Sequence, residues 1–66
     1  MFYVRLKELR EEKGLSQSEL AQAIGYTQSH IAKWENNAHE PKSGALIALA
    51  KYFEVTADYL LGLSDE

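Results

Sequence analysis

Hydrophobic residues recur along the chain with the period of about 3.6 residues that marks an amphipathic helix. The first such stretch runs from Tyr3 to Lys13, where Leu6 and Leu9 share one face and charged residues surround them. Gly14 follows directly, and glycine favours the left-handed conformation that ends many helices. The pattern therefore predicts a first helix from Tyr3 to Lys13.

Helix start signals predict two further helices between residues 16 and 36. Ser16 is followed three residues later by Glu19, which is the signature of a capping box. The helix that begins there meets Gly25, and Thr27 can cap a third helix that ends at the Asn36–Asn37 pair. Two helices of about eight residues joined by so short a turn are typical of a helix-turn-helix.

The last third of the chain predicts two more helices. After a loop that contains Pro41, Ser43 can cap a fourth helix, and Thr56 can cap a short fifth helix over residues 57–61 that Gly62 ends. No segment alternates with a two-residue period over the length of a strand. We therefore expect an all-α domain of five helices over residues 1–66.

The helical spacing also predicts the core. Ala21 is small enough to let the second and third helices approach closely, and Trp34 can anchor the third helix. The larger core residues are predicted to be Leu6, Leu9, Leu20, Ile24, Ile31, Leu46, Leu49, Phe53 and Leu60.

One face of the third helix stays free in this arrangement and is polar. Gln28, Ser29 and Lys33 lie on it, and such side chains suit the DNA major groove, where Gln pairs with adenine and Lys with guanine. The alternative is an ordinary exposed helix surface. The residues around this face that can contact phosphates are Gln17, His30, Asn36, Asn37 and Lys42.

The net charge of −3 is unfavourable for a DNA-binding protein, because phosphate contacts dominate DNA affinity. The acidic residues are unevenly distributed, however. Residues 1–13 carry four basic and three acidic side chains, whereas residues 52–66 carry four acidic and no basic ones. Another face of the domain can therefore be neutral or basic.

Several classes of protein are not expected from this composition. There are no cysteines, and His30 and His39 lack the further ligands of a metal site, so we expect no metal or cofactor. No catalytic Ser/His/Asp set or phosphate-binding glycine loop is evident, so neither an enzyme nor a small-molecule substrate is expected. Without an apolar run of about 20 residues or a signal peptide, we expect a cytoplasmic protein that does not enter membranes.

Two stretches, LKELREEKGLSQSELAQAIGYTQSHIAKWEN and LIALAKYFEVTADYLLG, resemble the Cro and phage-repressor type helix-turn-helix domains, the xenobiotic-response-element family. The resemblance implies a lambda-repressor-like fold and a transcriptional regulator that binds double-stranded DNA. Of the two roles of such a regulator, it favours a repressor over an activator. It places Gln28, Ser29 and Lys33 at base-reading positions and Gln17 and Asn36 at phosphate-binding positions.

The resemblance further implies an ion pair between Arg10 and Glu35 that joins the first helix to the third. The chain departs from the commonest family pattern at Asn37, where many members have glycine. It also places Glu40 in the following loop, where a carboxylate would weaken DNA binding or face a neighbouring subunit. Lys42 is then the phosphate contact of that loop.

A homodimer on a palindromic operator is expected, because one small module buries only about 600–1,000 Å² of protein surface on DNA. Tyr59 and Leu63 are candidate dimer contacts; alternatively they pack the tail onto the fourth helix. The remaining alternative is a protein-interaction module or an antitoxin in which DNA binding is secondary.

Overall fold

The computed structural model describes residues 1–65. Its helices are α1 (Phe2–Glu12), α2 (Gln17–Ile24), α3 (Gln28–Glu35), α4 (Ser43–Phe53) and α5 (Ala57–Leu61). No strand is present in this part of the chain, which confirms the predicted all-α architecture of five helices. The first helix begins and ends one residue earlier than predicted.

The capping box predicted at the start of α2 is confirmed. The backbone N–H of Glu19 donates to the Ser16 hydroxyl oxygen at 3.0 Å, and the Ser16 N–H donates to the Glu19 carboxylate at 2.8 Å. These hydrogen bonds, the backbone one foremost, lower the pKa of the Glu19 carboxyl. Glu19 therefore remains an ionised cap at neutral pH, at a helix end that favours negative charge.

The prediction that Ser43 caps α4 is wrong. Ser43 is the first helical residue, and Lys42 takes the extended cap conformation one position earlier, with no side-chain hydrogen bond to the helix. A lysine side chain has only donors and cannot accept from a backbone N–H. The start of α4 consequently lacks the side-chain cap that α2 and α3 have.

The core forms where all five helices meet. Six of the nine predicted large residues are buried, and Leu9, Ile24 and Leu46 lie half-buried against them. Ala21 is only 2% exposed, as its position between α2 and α3 requires. The buried hydrophobic residues are Leu6, Leu20, Ala21, Ile31, Trp34, Ala45, Leu49, Phe53 and Leu60.

The packing order of the helices leaves one side of α3 open. α2 packs on α3 and α4, α1 packs on α3 and α5, and α5 also packs on α4. None of the helices within residues 1–65 combines the length and the apolar content that crossing a membrane requires.

Candidate nucleic-acid interface

The turn between α2 and α3 reverses the chain within three residues. Gly25 has a φ of +78°, a conformation that only glycine adopts without cost. The N–H of Tyr26 then donates to the carbonyl of Ala21 at 2.8 Å, and Thr27 is extended. This turn sets α3 across α2 with its N-terminal residues on the outside.

The start of α3 is capped by an unusual pair. The Thr27 hydroxyl oxygen accepts from the His30 N–H at 3.4 Å, and His30 Nδ1 accepts from the Thr27 N–H at 3.3 Å. His30 thus occupies the position that Glu19 has in α2. The Thr27 hydroxyl oxygen also lies 2.8 Å from Nδ1, so this nitrogen is engaged within the cap and Nε2 is the ring atom that a phosphate could contact.

Aromatic rings stabilise the same end of α3. The ring centroids of Tyr26 and His30 are 5.4 Å apart, and those of Tyr26 and Trp34 are 5.3 Å apart, both edge to face. Trp34 is only 4% exposed, so it anchors α3 in the core as predicted and is not available to stack on a base. The aromatic role of His30 was not predicted from the sequence.

The outer face of α3 carries the three predicted base-reading residues. Gln28, Ser29 and Lys33 are all exposed. An α-helix with its side chains is about 10–12 Å in diameter, which matches the roughly 12 Å width of the major groove. The face therefore has the size and the polarity to enter that groove.

Arg10 and Glu35 lie together as a bidentate ion pair between α1 and α3. Arg10 Nε is 2.6 Å from one carboxylate oxygen of Glu35, and its Nη2 is 2.9 Å from the other. A third donor, Nη1, reaches the Leu15 carbonyl at 2.7 Å. The hydrogen bond with Glu35 raises the pKa of Arg10 above its ordinary value despite the opposing effect of burial, so the guanidinium stays charged.

Gln17 extends this pair to the surface of α3. Its Nε2 donates to the Glu35 carboxylate at 3.1 Å, and its Oε1 accepts from Nε2 of Gln28 at 2.7 Å. Arg10, Glu35, Gln17 and Gln28 thus form one continuous hydrogen-bonded chain, which we call the polar relay. Neither the bond between Gln17 and Glu35 nor that between the two glutamines was predicted, because partners 18 and 11 positions apart leave no local sequence signal.

A groove of about 370 Å³ lies between α3 and the loop that follows it. It brings together His30, Lys33 and Lys42, three of the predicted DNA contacts, and it also contains the Glu40 carboxylate. Its complete lining is Tyr26, His30, Lys33, Trp34, His39, Glu40, Lys42 and Ala45.

The predicted phosphate contacts at the end of α3 occupy different surroundings. Asn36 is exposed and is the C-cap residue of α3. Asn37 has a φ of +58°, a left-handed conformation that fits a position where the commonest family pattern has glycine. Asn37 lines a second groove with Met1 and Leu61, apart from Lys33 and Lys42. The structure therefore does not group Asn37 with the other candidate phosphate contacts.

The C-terminal tail is attached to α1 through Arg5. Its Nη1 donates to the carbonyls of Tyr59, at 2.8 Å, and of Ser64, and its guanidinium carbon is 4.2 Å from the centre of the Tyr59 ring. We call these three residues the tail clamp. Tyr59, predicted as a dimer contact or as packing onto the fourth helix, thus contacts α1, whereas Leu63 remains 75% exposed.

Four of the ten acidic residues of the chain lie in the same C-terminal part, which has no basic residue. Glu54 follows α4, Asp58 is in α5, and Asp65 is 3.5 Å from Arg5 in the tail. Glu66, the fourth acidic residue of this segment, lies outside the described residues. These charges are on elements other than α2 and α3, which carry the polar face described above.

Comparisons with known proteins agree with this architecture. The model of the helix-turn-helix family matches residues 6–60. YobD of Bacillus subtilis (strain 168), an uncharacterized HTH-type transcriptional regulator, is 35% identical over 66 residues, all of this chain and 59% of YobD. The chain thus spans well under two thirds of the length of this relative.

Two solved structures share the fold closely. The P22 c2 repressor in complex with a synthetic operator superposes with a TM-score of 0.91 at 28% identity, over 97% of each chain. SinR, a master regulator for biofilm formation, was solved in complex with DNA; it superposes with a TM-score of 0.84 at 34% identity, over 92% of this chain and 98% of the SinR chain in that complex. The lambda-repressor-like fold predicted from the sequence is confirmed.

Proposed function

The chain belongs to the helix-turn-helix family of the Cro and phage-repressor type, and from this membership we propose that it is a sequence-specific DNA-binding regulator of transcription, acting as a repressor. The observation that carries the proposal is the exposed polar face of α3, on which Gln28, Ser29 and Lys33 stand clear of the core. Relatives solved with operator or DNA present the same fold.

In the proposed complex α3 enters the major groove and its side chains read base edges. The amide of Gln28 can accept from N6 of adenine and donate to N7, while the Lys33 ammonium can donate to O6 and N7 of guanine. Ser29 has both a donor and an acceptor and tolerates either base. The reading surface is therefore one turn and a half of helix.

Phosphate contacts would position α3 in the groove. His30 and Lys42 line the same groove as Lys33, so they can contact one strand. Gln17 and Asn36 are further candidates, and Asn37 is a candidate in the separate second groove. The N-termini of α2 and α3 add partial positive charge and backbone N–H groups. Glu40 opposes these contacts, which favours modest affinity for a single domain.

We propose that two copies bind a palindromic operator, because two modules double a contact area that is small for one. Half-sites one helical turn apart, about 34 Å, would suit a two-fold dimer. Leu63 and Leu61 are the exposed apolar side chains of the C-terminal part that can contact a second copy, whereas Tyr59 already packs beneath Arg5. Sedimentation of the protein with and without operator tests this stoichiometry.

Substitution of Gln28 by alanine tests base reading. We expect Gln28→Ala to weaken specific binding by about 1–3 kcal/mol and to relax the preference at one operator position, because only one pair of base-edge hydrogen bonds is lost. Fluorescence titrations against the operator and its single-base variants measure both effects. An equal loss on every DNA sequence would assign Gln28 to phosphate binding and contradict the proposal.

A second candidate function is a protein-interaction module, including an antitoxin in which DNA binding is secondary. The exposed Leu61 and Leu63 beside the acidic Asp58 and Asp65 favour it. The two functions differ in their response to salt, since DNA affinity falls steeply with salt concentration when phosphates are contacted. Absence of a complex with any DNA, or a complex insensitive to salt, would support the protein partner.

A further inference from the structure

We propose that the charge of Glu35 sets the base preference of Gln28, so that this buried carboxylate is a positioning residue for adenine recognition. The inference rests on the proposed function, since it concerns how Gln28 is presented to a base. It follows from the direction of each hydrogen bond in the polar relay.

The first step is the hydrogen bonding of Glu35. Both of its carboxylate oxygens accept from the Arg10 guanidinium, at 2.6 Å and 2.9 Å. A carboxylate paired in this way offers only acceptors to its other neighbours. Whatever group lies next to Glu35 must therefore approach it with a donor.

The second step is the orientation of the Gln17 amide. Its NH₂ group faces Glu35 at 3.1 Å, and its oxygen consequently faces Gln28. The opposite orientation would place the Gln17 oxygen against a carboxylate oxygen, and would place two NH₂ groups 2.7 Å apart. Both contacts would be repulsive, so the charge of Glu35 excludes that orientation.

The third step is the presentation of Gln28. One hydrogen of its NH₂ group is given to Gln17, which leaves its oxygen and one N–H for the DNA. Adenine offers a donor at N6 and an acceptor at N7, which match this pair. Guanine offers acceptors at both O6 and N7, so the Gln28 oxygen would meet an acceptor.

The gradient of burial explains why this orientation is maintained. The side chains of Arg10 and Glu35 are 11% and 3% exposed, Gln17 is half-buried, and Gln28 is exposed. Hydrogen bonds shielded from water are electrostatically stronger. The orientation is thus imposed from the buried end of the polar relay towards the DNA.

Gln17→Met tests the inference without disturbing the ion pair. Methionine keeps much of the length and volume of glutamine but forms neither hydrogen bond, so Gln28 is free to rotate its amide. We expect the ratio of affinities for adenine and guanine at the position read by Gln28 to fall about three- to tenfold, the effect of one lost hydrogen bond. Gln22→Met, on the exposed surface of the same helix, is the matched control and should leave the ratio unchanged.

The ratio of adenine to guanine affinity shows whether Gln17 positions Gln28 or only contacts a phosphate. If Gln17 only contacted a phosphate, its replacement would weaken binding to both operators equally, and an unchanged ratio would overturn the inference. Glu35→Gln should also lower the ratio of adenine to guanine affinity, because an amide in place of the carboxylate can face Gln17 with its oxygen or with its NH₂ group. A cooperative melting transition shows that this variant is folded. If Glu35→Gln does not fold, Gln17→Met alone decides.

Gln28→Ala distinguishes a failure of this inference from a failure of the proposed function. If Gln28→Ala shows no position-specific loss, the proposed reading of bases fails. If Gln28→Ala relaxes one position while Gln17→Met leaves the ratio of adenine to guanine affinity intact, base reading stands and only the role of Glu35 is contradicted.

Discussion

The α2–α3 unit and the face formed by α1, α5 and the tail are held together in different ways. Within the α2–α3 unit, each helix begins with a capping residue that bonds to the residue three positions later, and Gly25 makes the turn between the two helices. The other face depends on Arg5, which bonds to carbonyls 54 and 59 positions away. One region is specified by neighbours in sequence, the other by contacts between the two ends of the chain.

This difference has a functional meaning under the proposed role. The α2–α3 unit must present side chains to DNA in a constant geometry, and local caps together with the polar relay provide that. The tail clamp contributes to stability. Arg5 donates to the carbonyls of Tyr59 and Ser64 and pairs with Asp65, and none of these three contacts reaches α3. We therefore expect substitutions in the two regions to have different effects. Substitutions in either region lower stability, but only those in the polar relay change the base preference.

The largest expected effect comes from breaking the ion pair that joins the two regions. Arg10→Met leaves the Glu35 carboxylate buried without its guanidinium, and we expect the free energy of unfolding to fall by about 3–5 kcal/mol. For a domain of this size, such a loss would leave little folded protein at 37 °C. Urea unfolding followed by circular dichroism measures it.

The double variant Arg10→Met with Glu35→Leu is the control for this prediction. Replacing both charges by apolar side chains removes the uncompensated carboxylate, so much of the lost stability should return. If the double variant is no more stable than Arg10→Met, the cost is one of packing and not of an isolated buried charge.

The next effect is that of the tail clamp. Arg5→Met removes the hydrogen bonds to Tyr59 and Ser64 and the cation–π contact, and we expect a loss of about 2 kcal/mol, since hydrogen bonds from a charged donor are involved. Lys7→Met, at an exposed position of the same helix, should change the free energy of unfolding by less than about 0.5 kcal/mol. A change in the base preference of a folded Arg5→Met variant would contradict the separation of the two regions.

The smallest effect compares one glycine from each region. Gly25 and Gly62 have nearly equal φ values of +78° and +79°, so alanine at either position carries the same left-handed strain of about 1–2 kcal/mol. A Cβ at Gly62 would also lie 2.6 Å from the backbone nitrogen of Met1, whereas nothing lies within 4 Å of one at Gly25.

Thermal or urea unfolding of the two variants isolates that contact. We expect Gly62→Ala to be less stable than Gly25→Ala by about 1 kcal/mol, the lower range for overpacking. Equal stabilities would show that the start of α1 moves aside without cost, and that the two ends of the chain are less closely packed than the structure indicates.

Much of the fold was predictable because it depends on local physical chemistry. The capping box at Ser16, the left-handed turn at Gly25 and the helical spacing of Leu6, Leu20 and Leu49 each act within one or two turns of chain. The ion pair between Arg10 and Glu35 followed from family resemblance, because no local rule connects residues 25 positions apart.

The features that escaped prediction depend on the assembled molecule. Arg5 resembled one charge among several on an exposed helix face until its partners at the far end of the chain were known. Ser43 offers a capping hydroxyl, but the loop places Lys42 at the cap position instead. His30 caps its helix through a ring nitrogen, a use for which the sequence carries no common signature.

Selection of binding sites from randomised duplexes, followed by sequencing, tests whether α3 reads bases. For the unaltered protein we predict a two-fold symmetric sequence whose half-sites are about 10 base pairs apart, with an adenine at one position of each half. That adenine should lose its enrichment when Gln28→Ala is used, while the flanking positions persist. Failure to enrich any sequence, or an identical sequence from both proteins, would contradict the account.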